Sequence, residues 1–163
     1  MATFDVLSDR FFLQTLKTLV VICKTNVQGF GDITIPLPAG VTIDPITGQL
    51  SVPVTLEPAG NPILINNTVL PDKVINNGAI PVNVLIAGIP VVQNVSIPWQ
   101  DVIDCPGARP GDEVQKHDFR VVGYTVTAVL GVPGGLILKA VFDYCLIVSR
   151  LKLIEVNSAD ITC

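Results

Sequence analysis

Ile97 to Val148 reads IPWQDVIDCPGARPGDEVQKHDFRVVGYTVTAVLGVPGGLILKAVFDYCLIV, and this stretch decides the fold. It opens as an aromatic-ended strand, passes a Pro/Gly turn holding one cysteine, and continues as two long alternating strands joined at Pro133-Gly134-Gly135. In the last strand Leu136, Leu138, Ala140, Phe142, Tyr144, Leu146 and Val148 share one parity. Ile137, Lys139, Val141, Asp143, Cys145, Ile147 and Ser149 share the other. Strict alternation is the mark of a half-buried strand, so the first set is expected to face a core and Cys145 the outside. In the strand before it, Val122, Tyr124, Val126, Ala128 and Leu130 form one face. Val95, Ile97 and Trp99 share a parity further back, which predicts an inward Trp99.

Upstream the same style continues. Leu50, Val52, Val54 and Leu56 alternate with polar residues, and Pro53, which has no N–H to donate, predicts an edge strand or one whose proline N faces away from its partner. Asp44-Pro45-Ile46-Thr47-Gly48 and Gly88-Ile89-Pro90 read as turns. Asn76-Asn77-Gly78 is also predicted to turn, because Asn-Gly tolerates positive φ. Asp101 to Asp118 reads as a long polar loop. Thirteen prolines and thirteen glycines spread along the chain fit many strands punctuated by turns. The expectation is an all-β fold, an antiparallel β-sandwich (jelly-roll or Ig-like) of about eight to ten short strands. Residues 26–156 make the sandwich domain and 157–163 a C-terminal tail. Residues 1–25 have no proline or glycine, and a strand is expected over Thr18 to Lys24. Two readings of it stay open: a first strand of the domain, or an arm that pairs with a neighbour's sheet edge.

Composition narrows the function. Charged residues are 15% of the chain, hydrophobic residues 49%, and mean hydropathy is +0.58. A surface so short of charge is prone to associate. Net charge is −4 and the ten Lys and Arg are scattered, which disfavours nucleic acid. No apolar run is long enough to span a bilayer as a helix. Leu13 to Cys23 is the best candidate for a secretion leader, but it follows Asp5 and Asp9 and contains Lys17, so no leader is expected. The sequons at Asn66 and Asn94 are therefore read as chance.

Chemistry-bearing patterns are few. Cys23, Cys105, Cys145 and Cys163 show no zinc spacing, and four cysteines allow three intrachain pairings. Five acids between Asp101 and Asp118 lack the spacing of a calcium loop. His117 stands alone, with no spacing that ties a thiol and an acid to it. No enzyme activity, cofactor or metal is expected.

Ile97-Pro98-Trp99, the turn Cys105-Pro106-Gly107-Ala108-Arg109-Pro110-Gly111-Asp112 and the strand–hairpin–strand ending in Leu136 to Val148 carry a resemblance. Together they are similar to the SPOCS-type domain of spore coat and spore-assembly proteins of endospore-forming Firmicutes. Looser similarity reaches back to Val69, roughly half the chain in all. The resemblance implies a β-rich structural module of a spore-surface layer or appendage (coat, exosporium or fibre), made in the mother cell without a signal peptide. Its partners would be itself, as a homo-oligomer or polymer, and other spore-surface proteins. Low charge and terminal cysteines agree with such an assembly hardened by intersubunit disulfides. Cys23 and Cys163 are the expected cross-linking thiols, with Cys105 or Cys145 as receivers. The competing expectation is a non-catalytic β-sandwich module that binds carbohydrate or a surface partner on an exposed aromatic platform.

Overall fold

The computed structural model describes residues 12–131 and 134–158. Every regular element in them is a strand: β1 Phe12–Pro36, β2 Val54–Pro58, β3 Ile63–Leu70, β4 Lys73–Ile86, β5 Ile89–Asp104, β6 Glu113–Val129 and β7 Gly135–Ser158. They form one antiparallel sheet in the order β2-β4-β5-β1-β7-β6, and β3 continues beyond β2 along the same edge of β4. The sheet curls until its ends, β2 and β6, touch, which makes a nearly closed barrel with two facing layers. The expected all-β antiparallel architecture is present. The strands are fewer and longer than expected: β1 spans 25 residues and β7 spans 24.

Two rows of side chains make the core. The even row of β7, Leu136 to Val148, is buried throughout, as its alternation predicts. Facing it are Val74, Ile80, Val82 and Val84 of β4, with Ile97 and Trp99 of β5. Trp99 is 4% exposed and lies 4.8 Å, centroid to centroid, from the Phe142 ring. Phe119 and Tyr144 complete the aromatic cluster. Aromatic pairs at such spacings add to the stability that burial alone supplies.

Several boundaries differ from the sequence reading. Asn76-Asn77-Gly78 is no turn. It lies inside β4, where Asn77 pairs with Gln100 and Gly78 with Trp99. The glycine serves packing: a Cβ there would sit 2.6 Å from the Trp99 ring and collide with the Ile63 carbonyl. The hairpin turn is instead Ala87-Gly88, both at positive φ (48° and 82°). The polar stretch after Asp101 is shorter than expected. β5 runs to Asp104 and β6 begins at Glu113, which leaves an eight-residue turn and puts His117 on a strand. β1 runs through residue 25 without a break, and β7 runs past 157 to Ser158.

Candidate functional site: the ribbon, its root and the cysteines

β1 and β7 pair with each other far beyond the barrel. Their register runs from Pro36↔Gly135 to Phe12↔Ser158, with one bulge between Val21 and Cys23. β6 covers β7 only as far as Ser149, opposite Glu113. β5 joins β1 only at Gly31↔Trp99. Residues 12–21 and 149–158 therefore form a two-stranded ribbon that, beyond Ser149, has no third strand on either edge among the described residues. A two-stranded ribbon alone is marginal in water.

Both of its faces carry exposed aliphatic side chains. Cross-strand partners share a face. Leu16 and Ile154 are on one side with Thr18, Lys152 and Val20. Leu19, Leu151, Val21 and Leu153 are on the other with Lys17. Leu16, Leu19, Val21, Leu151, Leu153 and Ile154 are each between 44% and 65% exposed. The usual protections of an edge, such as proline or densely placed charge, are missing from residues 12–21, whose sole charge is Lys17.

The ribbon's root is fixed by the turn 105–112. Cys23 of β1 is bonded to Cys105, with Cα atoms 5.7 Å apart, and Cys105 is fully buried. Arg150 of β7 donates from Nε to Asp112 Oδ1 at 2.6 Å and from Nη2 to Oδ2 at 2.7 Å, and it also reaches the Gly107 carbonyl. The Asp112 side chain is 3% exposed, and the Arg150 guanidinium holds its carboxyl below the usual range. Asp72 accepts from the Gly107 N–H at 2.7 Å and ties the turn to the β3–β4 corner.

These contacts correct the expected cross-linking set. Cys23 and Cys105 are joined within one chain, because the turn after β5 folds onto the inner face of β1 at Cys23. Neither is left for a neighbour. Cys145 is a free thiol, partly exposed on the outer face as its parity predicts. Cys163 lies outside the described residues.

Cys145 sits between Asn26 of β1 and His117 of β6 in one cross-strand row. His117 Nε2 lies 3.3 Å from Gln115 Oε1. In the next row Arg120 grips Asp143 through two hydrogen bonds of 2.6 and 2.9 Å, which holds the Asp143 carboxyl below the usual range. Asn26, Asp118, Arg120, Asp143, Tyr144 and Cys145 line an open depression of about 550 Å³. It leaves the thiol accessible to another molecule.

One polar cluster had no signature in the sequence. Tyr144 donates to Asp101 Oδ2 at 2.7 Å, and the Asn76 amide donates to Asp101 Oδ1 at 3.0 Å. Burial, then the Asp101 carboxylate, pushes the Tyr144 hydroxyl far up. Burial lowers the Lys116 ammonium, against the pull of Asp101. Other acids of this region have structural partners: Asp104 pairs with Lys73 and Asp112 with Arg150. Among the described residues no three His, Cys, Asp or Glu side chains gather as a metal site, and no helix is long and apolar enough to cross a membrane.

Comparison with protein-family models, curated proteins and solved structures finds no match to this chain.

Proposed function

We propose that this chain is a structural subunit that assembles with copies of itself, without catalysis, into a spore-surface layer or appendage. The observation that carries the assembly is the ribbon: six large aliphatic side chains on an open-edged projection that a lone copy leaves in water. Four of them, Leu19, Val21, Leu151 and Leu153, share one face, and soluble monomers rarely expose a contiguous apolar patch, whereas assembling proteins do. The spore setting, as coat, exosporium or appendage, rests on the resemblance of residues 69–148 to the SPOCS-type domain.

Disulfide hardening between copies falls to Cys145 and Cys163 in this reading. Joining them removes two protons and two electrons, and oxygen or an exchanging disulfide accepts the electrons. The carbohydrate-binding alternative draws less support. Of the aromatics it would use as a platform, Trp99 and Tyr144 are packed in the core, and Tyr124 alone is only partly buried.

Negative-stain electron microscopy of the purified protein is the test. Ordered fibres, rings or sheets are expected, and monodisperse single chains would refute the reading. On a non-reducing denaturing gel, native assemblies should run as a ladder that Cys145→Ser shortens to single chains.

A further inference from the structure

We infer that the ribbon of one copy docks at the opposite pole of the next, in an apolar cleft beside Leu37 and Leu130, so that copies join head to tail. This inference rests on the self-assembly reading and names its contact.

The first ground is position. The ribbon lies at the Phe12/Ser158 end of the β1–β7 pair. At the Pro36/Gly135 end the chain opens a cleft of about 420 Å³ lined by Leu37, Val41, Ile43, Pro45 and Leu130, with no charged residue among its described walls. Leu130 is 57% exposed, and the neighbouring Ile46 is 92% exposed. Twenty residues of extended strand separate Leu16 from Pro36, about 66 Å at the rise of a β-strand. An apolar projection and an uncharged apolar recess therefore stand at opposite ends of one long axis.

The second ground is charge. Residues 12–21 and 149–158 carry Lys17, Arg150 and Lys152 against Glu155, a net of +2. Residues 22–148, which hold the barrel, carry six Lys and Arg against ten Asp and Glu, a net of −4; residues 1–11 and 159–163 supply a further −2. Two ribbons laid on each other would bring like charge together. A ribbon approaching another copy's body meets the opposite sign, which favours encounter in that orientation.

The third ground is symmetry. Projection and cleft are different surfaces, so their contact is heterologous. Such a contact leaves one free projection and one free cleft at the ends of every oligomer, and repetition gives a fibre unless the rotation closes a ring.

Two variants of the full chain test this by sedimentation velocity. Leu19→Glu with Leu153→Glu disables the projection, and Ile46→Asp with Leu130→Asp disables the cleft. All four side chains are about half exposed or more, and circular dichroism with a retained Cys23–Cys105 bond checks that each variant folds. Each variant alone is expected to sediment as one chain of 17.3 kDa, with association weakened at least about tenfold. Mixed in equal amounts, they should form a pair and stop there, because one intact projection meets one intact cleft. As a second measurement, Lys17→Glu with Lys152→Glu should weaken association at low salt, with the difference shrinking at high salt. Cleft variants that assemble like the wild type, or a mixture that forms no pair, would overturn the head-to-tail contact while leaving self-assembly standing. A wild-type chain that never associates would overturn both.

Discussion

Gly78 shows how one residue serves two strands. Its missing side chain lets the Trp99 indole lie against β4 beneath β3. Gly78→Ala should cost at least about 2 kcal/mol, read as a lower urea midpoint at unchanged slope, because the Ile63 carbonyl is backbone and cannot swing away. Tyr144→Phe should cost about 1–3 kcal/mol by leaving the Asn76 and Asp101 groups short of a partner. Asp112 gives a pH signature. Its carboxyl is held below the ordinary value of 3.8 in the folded chain, so the unfolded chain binds the proton more readily. That contribution to stability is present above pH 3.8 and is lost as pH falls through the lower folded value. Asp112→Asn should flatten the decline of the urea midpoint on the acid side of pH 4, and a decline as steep as that of the wild type would contradict this role for the pair.

At the scale of elements, what the sequence made legible was periodicity. Alternation from Leu136 to Val148 identified the buried row of β7 residue by residue, and parity placed Trp99 inside and Cys145 outside. Local turn chemistry misled at Asn76-Asn77-Gly78, because Asn-Gly is compatible with a turn but does not require one. There the neighbouring strands and the indole decide. Pairing across distance was hidden too. Nothing local brings Cys23 to Cys105, 82 positions away, or joins Asn76, Asp101 and Tyr144. The ribbon was visible only as a stretch without proline or glycine, and its partner became plain once β7 was seen to continue beside it. The Cys23–Cys105 bond closes a loop whose entropy in the unfolded chain corresponds to about 4–5 kcal/mol. Cys23→Ser with Cys105→Ser should lower the melting temperature markedly and loosen the ribbon's root. Amide exchange should then speed up first near Val21 and Ser149, and uniform acceleration throughout the barrel would argue against the turn as the ribbon's anchor.

The whole molecule is a nearly closed acidic barrel with a basic, apolar ribbon at one end and an uncharged cleft at the other. The sheet's terminal strands β2, β3 and β6 each pair on one side only, and β1 and β7 add unpaired edges where they run on beyond the barrel. On the proposed reading, another copy of the chain covers the exposed apolar side chains and unpaired edges of this element. The most direct measurement is negative-stain electron microscopy of the purified, non-reduced full chain, with sedimentation velocity on the same sample. The account predicts ordered, extended assemblies whose size grows with concentration. Single chains of 17.3 kDa at every concentration would contradict it.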